Sequence, residues 1–168
     1  NSEGETTTID FREKAPLAAS PEMYLDELGK VDQALFRQSI KSIGVPGTVA
    51  GLFKAHSKYG KLPWAQLVQP AIEIAENGFP MNWSLYRTAQ RFIGNEKSGK
   101  FIREYFLNPD GTLPEPGELW LQPELANTLK IIRDKGHDGF YKGIVAEKIA
   151  EFMTENGGII TTEDLVKY

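Results

Sequence analysis

One strand-forming stretch precedes a chain whose later patterns are mostly helical, and this imbalance limits the folds that the chain can adopt. Residues 6–9 are all β-branched and Phe11 continues the pattern, until Pro16 removes a backbone donor. A single strand needs a neighbour for its backbone hydrogen bonds, and little else in the sequence supplies one. We therefore predict that 1–16 is the strand region of a sheet formed largely by chain outside this sequence.

The rest of the chain predicts a mainly helical region over 43–168, after a long polar loop. Apolar residues recur at helical spacing, and Gly, Pro, Asn and Thr mark the helix ends. Pro70 lies inside one pattern and should kink that helix or split it. The predicted helices cover 48–59, 63–77, 82–92, 97–105, 123–135, 144–156 and a last segment that begins at Thr161 or Thr162.

Composition excludes several classes of protein. Hydrophobic residues are 40% and charged residues 25% of the 168-residue chain, which is typical of one globular domain. The net charge is −4 with no basic stripe, so nucleic acid is not an expected partner. No apolar run approaches the ~20 residues of a membrane span. The absence of cysteine excludes disulfides, thiolate metal sites and a cysteine nucleophile.

Common catalytic patterns are missing as well. His56 and His137 are far apart and lack acidic partners at metal-ligand spacing, so we expect no metal. There is no Gly-x-Ser-x-Gly elbow and no glycine-rich phosphate loop. The clustered acids are expected to lie on solvated helix faces: Glu124, Glu147, Glu151, Glu155, Glu163 and Asp164.

Arg12 is the binding candidate that remains, with Asp10 and Glu13 beside it. Strand alternation places Asp10 and Arg12 on one face and Phe11 and Glu13 on the other. A guanidinium fork at the end of a strand suits a carboxylate ligand. An ordinary surface salt bridge explains the same residues, and on these residues alone it is the better interpretation.

Several short motifs occur together across almost the whole chain. They are TIDFREKAP (8–16), GVPGTVAG (44–51), KYG (58–60), VQPA (68–71) with NGF (77–79), GFYKG (139–143) and NGGIITTEDL (156–165). In this order they resemble the N-terminal part of the large subunit of the γ-glutamyltranspeptidases, also called γ-glutamyltransferases or glutathione hydrolases. The segments 17–42 and 92–120 contribute little to the likeness.

The resemblance implies an α+β enzyme of the N-terminal nucleophile hydrolases, an αββα sandwich built by two subunits cut from one precursor. It implies a threonine nucleophile at the new N-terminus of the small subunit, with its own α-amine as base. Backbone N–H groups would stabilise the oxyanion, and no cofactor would be needed. The substrates implied are glutathione and related γ-glutamyl donors, and the acceptors are water or amino acids.

For this chain the resemblance implies that Arg12 binds the donor α-carboxylate and that Glu13 orients it. It implies no catalytic residue here, because Thr6, Thr7, Thr8, Thr161 and Thr162 match no nucleophile of the family. The chain alone is therefore expected to be inactive without its own small subunit.

Both ends of the chain are expected to be cut from a longer protein. The resemblance further implies a periplasmic or secreted location. Two kinds of alternative remain: a related acylase, either cephalosporin acylase-like or poly-γ-glutamate-processing, and a non-catalytic helical interaction module.

Overall fold

The computed structural model describes residues 4, 6–95 and 99–168, and these residues are mostly helical. A 3-10 turn covers Ile40–Ser42, and β1 (Phe79–Pro80) pairs antiparallel with β2 (Leu119–Trp120). The helices are α1 (Gln33–Gln38), α2 (Thr48–Tyr59), α3 (Trp64–Asn77), α4 (Trp83–Ile93), α5 (Lys100–Glu104), α6 (Pro123–Lys135), α7 (Asp138–Tyr141), α8 (Ile144–Glu155) and α9 (Thr162–Val166).

Local sequence signals explain most helix ends. Asn82 accepts a hydrogen bond from Leu85 N at 2.9 Å and caps α4 as predicted. Thr161 caps α9 in a reciprocal capping box with Asp164. Gly136, at φ +58°, follows α6 at its predicted end. The mainly helical prediction for this region is thus confirmed, although Lys97, the predicted start of one helix, lies outside the described residues.

Pro70 does not divide its helix, and the predicted alternative of two short helices is wrong. The helix α3 is continuous through Pro70. Ile72 and Ala75 follow it on the same helix and are 1% and 3% exposed. Burial of this apolar face offsets the one backbone hydrogen bond that proline cannot make.

Residues 6–13 have no regular secondary structure in this chain by itself, whereas the prediction places them in a sheet with chain outside this sequence. A strand requires a neighbouring backbone, and the pairing described in this stretch is a single bridge between Lys14 and Val45. Its two N–H···O bonds measure 3.1 and 2.8 Å. Residues 1–3 and 5 lie outside the described part. That 1–16 joins a sheet with other chain stays a prediction.

The chain divides into two compact units rather than the single body expected from its length. Unit 1 combines the residues up to Trp64 with those from Ile131 onwards, and unit 2 comprises Ala65–Lys130. In unit 1 the core residues are Val45, Tyr141, Ala146, Met153, Ile160 and Leu165. In unit 2 they are Met81, Ala89, Phe106 and Trp120.

The helices of the described ranges are all too short or too polar to cross a membrane.

Candidate substrate-binding site

Arg12 lies in an open cavity of unit 1 with a volume of about 480 Å³, which we call the Arg12 pocket. It is formed by the N-terminal segment on one side and by the turn that leads into α2 on the other. The residues that line it are Ile9, Asp10, Phe11, Arg12, Glu13, Gly44, Pro46, Gly47 and Thr48.

Within the described part of the chain, most of the hydrogen-bonding capacity of the Arg12 side chain is free for a ligand. Its Nη2 donates to Oε1 of Glu13 at 3.0 Å, and the two side chains are 83% and 57% exposed. A guanidinium carries five N–H donors. Among the described residues, Glu13 is the one acceptor of a hydrogen bond from the Arg12 guanidinium. The structure therefore brings the two predicted site residues together and leaves the cation accessible.

The predicted distribution of side chains along this segment is wrong in one respect. Arg12 pairs with Glu13 and not with Asp10, whose carboxylate instead accepts from the backbone N–H of Arg12 at 3.1 Å. Strict alternation is imposed by pairing with a neighbouring strand, and residues 6–13 have none here.

Tyr168 holds the backbone of the site, a role that sequence reasoning missed. Its hydroxyl donates to the carbonyl oxygen of Arg12 at 2.5 Å. Lys14 Nζ donates to the main-chain oxygen of Tyr168 at 3.1 Å and lies 4.3 Å from the centre of its ring. No local pattern marks Tyr168, because these partners are more than 150 positions away in the sequence.

A second tyrosine fixes the turn on the other side of the pocket. Tyr141 is fully buried, and its hydroxyl donates to the carbonyl oxygen of Pro46 at 2.7 Å. The same hydroxyl accepts from Ala50 N, in the first turn of α2, at 3.3 Å. Burial raises the pKa of Tyr141, so the hydroxyl stays protonated and remains a donor. Its place in the GFYKG motif was the one sequence signal for this residue.

Three glycines let these segments approach closely. A side chain at Gly47 would overlap the carbonyl oxygen of Phe11, and one at Gly44 would lie 2.7 Å from Cβ of Glu13. At Gly51 the neighbour is the side chain of Phe11, which a Cβ there would overlap. The absence of a Cβ is therefore needed at all three positions.

Asp164 corrects the prediction that the acids lie on solvated faces, because it is only 5% exposed. One carboxylate oxygen accepts from Leu17 N at 2.6 Å, and the other accepts from Thr161 N and Oγ1, both at 2.7 Å. Burial by itself would raise the pKa of Asp164, but the hydrogen bonds from Leu17 and Thr161 outweigh it and lower the pKa. This acid is structural.

The two histidines make ordinary packing contacts. The Nε2 of His56 lies 2.8 Å from the carbonyl oxygen of Leu62, and the His137 ring stacks on Tyr141 with centroids 4.6 Å apart. No group of three His, Asp or Glu side chains suited to a metal ion occurs among the described residues.

Comparisons with known proteins place the whole chain in one group. The family model described as "Gamma-glutamyltranspeptidase" matches residues 1–168. A relative from Pseudomonas aeruginosa, named glutathione hydrolase proenzyme, is 42% identical over 99% of this chain and 29% of its own length. The chain thus spans less than a third of that relative.

Solved structures agree with the sequence match. The crystal structure of γ-glutamyltranspeptidase from Helicobacter pylori has a TM-score of 0.86 and 42% identity, over 95% of this chain and 46% of that one. A cephalosporin acylase from Bacillus halodurans has a TM-score of 0.75 and 27% identity, over 94% of this chain and 30% of that one.

Proposed function

Because this chain belongs to the γ-glutamyltranspeptidase family, we propose that the whole protein cleaves the γ-glutamyl amide of glutathione and related donors. The γ-glutamyl group is held as an acyl-enzyme and passes to water or to an amino acid. The observation that carries the proposal is the accessible Arg12 guanidinium, which lies in a pocket with one described acceptor.

Arg12 binds the α-carboxylate of the donor in this proposal. Its planar fork matches a carboxylate with two parallel hydrogen bonds, which fix direction as well as distance. Glu13, 3.0 Å away, limits the rotation of the guanidinium and so orients it. Fixing the carboxylate end of the donor sets the position of its γ-carbonyl, which is the group that reacts.

The nucleophile belongs to another part of the protein in this proposal. A threonine at the N-terminus of a small subunit attacks the γ-carbonyl, and the amide nitrogen leaves with a proton. The relative's name, a proenzyme, supports processing of a precursor into two subunits. Residues 1–16 would then join a sheet that the small subunit completes, within an αββα sandwich. We further propose an exported protein, periplasmic or secreted.

A related acylase is the second candidate, and the likeness to the cephalosporin acylase favours it. A γ-glutamyl donor needs this cation for its free α-carboxylate, whereas an acyl donor that lacks this carboxylate does not. The helical interaction module has no such support, since the family match covers the whole chain.

The test compares full-length variants on γ-glutamyl-p-nitroanilide. We expect Arg12→Ala to lower kcat/KM by at least about 30-fold, since breaking a charge-paired contact typically costs ~2–5 kcal/mol. Arg12→Lys keeps the positive charge but lacks the planar fork, so its kcat/KM should lie between the values of wild type and Arg12→Ala. Arg87→Ala, which removes another exposed arginine, is the control.

Two results would overturn the proposal. Full-length wild type with no γ-glutamyl turnover would refute the activity. An Arg12→Ala variant within about threefold of wild type, under ~1 kcal/mol, would refute the clamp and favour the acylase. As a second substrate we suggest 4-aminobutyryl-p-nitroanilide, which keeps the amine but lacks the carboxylate, and whose turnover should not depend on Arg12.

A further inference from the structure

We propose that Tyr168 is a positioning residue for donor binding, which acts by holding the main-chain carbonyl of Arg12. The inference rests on the proposed role of Arg12 and adds a residue distant in sequence to that site. The contact that carries it is the 2.5 Å hydrogen bond from the Tyr168 hydroxyl to the Arg12 carbonyl oxygen.

The Arg12 side chain has little that fixes it in place by itself. It is 83% exposed, and its described partner, Glu13, is itself 57% exposed. Exposed ion pairs of this kind hold geometry weakly. Glu13 sets the direction of the guanidinium, but where the guanidinium lies depends on where the backbone places Arg12.

Tyr168 provides the long-range bond to that backbone. Within the described residues, the Arg12 main chain makes one bond to Asp10, two positions away, and one to Tyr168, 156 positions away. The first bond moves with the segment, and the second ties the segment to unit 1. The Lys14–Val45 bridge fixes the segment next to Arg12, but no hydrogen bond of that bridge reaches the Arg12 peptide.

Tyr168 is itself held on a rigid support. Its ring stacks on Tyr141 with centroids 5.5 Å apart and an interplanar angle of 14°. Tyr141 is fully buried and bonded to the Pro46 carbonyl, so it cannot shift easily. Lys14 holds the main-chain oxygen of Tyr168 from the other segment.

The hydroxyl is also in the correct protonation state to donate. Burial and the charges of Asp10 and Glu13 raise the pKa of Tyr168. The proton therefore remains on the hydroxyl at any pH where the enzyme would be assayed.

The decisive variant is Tyr168→Phe in the full-length protein, because it removes the hydroxyl and keeps the ring stack. We expect the KM for γ-glutamyl-p-nitroanilide to rise about fivefold, the factor that one neutral hydrogen bond represents. Tyr168→Phe removes no group that contacts the donor, so a donor that does bind is held as in wild type, and kcat should change by less than about twofold. Tyr59→Phe, whose hydroxyl has no described hydrogen bond, is the matched control.

A double-mutant cycle separates positioning from general stability. In an Arg12→Ala background, Tyr168→Phe should leave kcat/KM unchanged, because the group that it positions is absent. A further fivefold loss in that background would show that Tyr168 acts by another route, and would overturn the inference. The inference would also be overturned if Tyr168→Phe had the KM of wild type while Arg12→Ala was impaired. That result would leave the proposed function intact.

Lys14→Met is the second variant, for the case that Tyr168→Phe fails to fold. It removes the ammonium that holds the Tyr168 main chain and ring, and we expect a smaller rise in KM that is also absent with Arg12→Ala. A KM equal to that of wild type would contradict the inference. Wild type without γ-glutamyl turnover would overturn the inference and the proposed function together.

Discussion

Asp164 and Leu17 are joined by a 2.6 Å hydrogen bond from a backbone N–H to a buried carboxylate, across 147 positions of sequence. The other oxygen of the same carboxylate completes the capping box of α9. One side chain therefore begins a helix and also fixes the residue that follows Pro16. The N-terminal segment that carries Arg12 is held at this end by a charged group rather than by a sheet.

Removing that carboxylate should destabilise the protein. We expect Asp164→Ala to lower the free energy of unfolding by about 2–4 kcal/mol, since a helix cap contributes ~1 kcal/mol and hydrogen bonds to a charged group ~1.5–3 kcal/mol. Denaturant unfolding of the full-length protein measures this change. Glu163→Ala is the control in the same helical turn, because Glu163 is 65% exposed and its one ion-pair partner in the described ranges is Lys167. If Asp164→Ala lowered the free energy of unfolding no more than Glu163→Ala does, the structural role of Asp164 would be contradicted.

The stabilisation by Asp164 should depend on pH in acid. Hydrogen bonds lower the folded-state pKa of Asp164 below its unfolded value of about 3.9. The contribution is therefore complete above the unfolded pKa and disappears as the pH falls through the folded pKa. The difference in stability between wild type and Asp164→Ala should be constant from pH 6 to 8 and shrink below about pH 4. A difference that grows in acid would refute this sign.

The Tyr141 hydroxyl should contribute to the stability of the fold through two hydrogen bonds at once. Tyr141→Phe leaves the Pro46 carbonyl and the Ala50 N–H without their partner. We expect a loss of about 1–3 kcal/mol, the cost of unsatisfied buried groups. The melting temperature of the full-length protein measures it. Tyr59→Phe should change the melting temperature very little, because that side chain is 43% exposed.

Gly51 offers a test in which two effects oppose each other. An alanine in the first turns of a helix should gain ~1 kcal/mol in propensity over glycine. At Gly51 the new Cβ would overlap the Phe11 ring, and overpacking typically costs ~1–3 kcal/mol. We therefore expect Gly51→Ala to be destabilising and to raise the KM for the donor, because Phe11 adjoins Arg12.

The same position supplies its own control. With Phe11→Gly already present, the Phe11 ring and the Phe11 Cβ that a side chain at position 51 would overlap are both gone, and Gly51→Ala should become neutral or stabilising. Denaturant unfolding of the single and double variants gives the coupling between the two sites. Additive costs would show that Phe11 is not what excludes a side chain at Gly51.

Local sequence signals were sufficient for much of the fold. The bounds of α6 match their prediction because Pro123 begins the helix and Gly136 follows it in the left-handed region. Asn82 and Thr161 cap their helices as their short side chains predict. Each of these signals acts within a few residues, so periodicity and capping rules detect it.

Periodicity and capping rules could not predict the long-range contacts that hold the candidate site. Asp164 looked like an ordinary acid of a first helical turn, and nothing near it shows that one oxygen is used by Leu17. Tyr168 likewise gains its contact with Arg12 from tertiary packing alone. The N-terminal stretch is the converse case, because residues 6–9 have the composition of a strand but no strand partner among the described residues.

The bond between Tyr168 and Arg12 has a consequence for synthesis on the ribosome. These partners are 156 positions apart, and translation adds about 5–20 residues per second, so Arg12 waits roughly 8–30 seconds for its partner. For most of that interval Tyr141, whose hydroxyl donates to the Pro46 carbonyl oxygen, has not been synthesised either. The proposed donor-binding segment would thus be among the last parts of unit 1 to reach its final conformation.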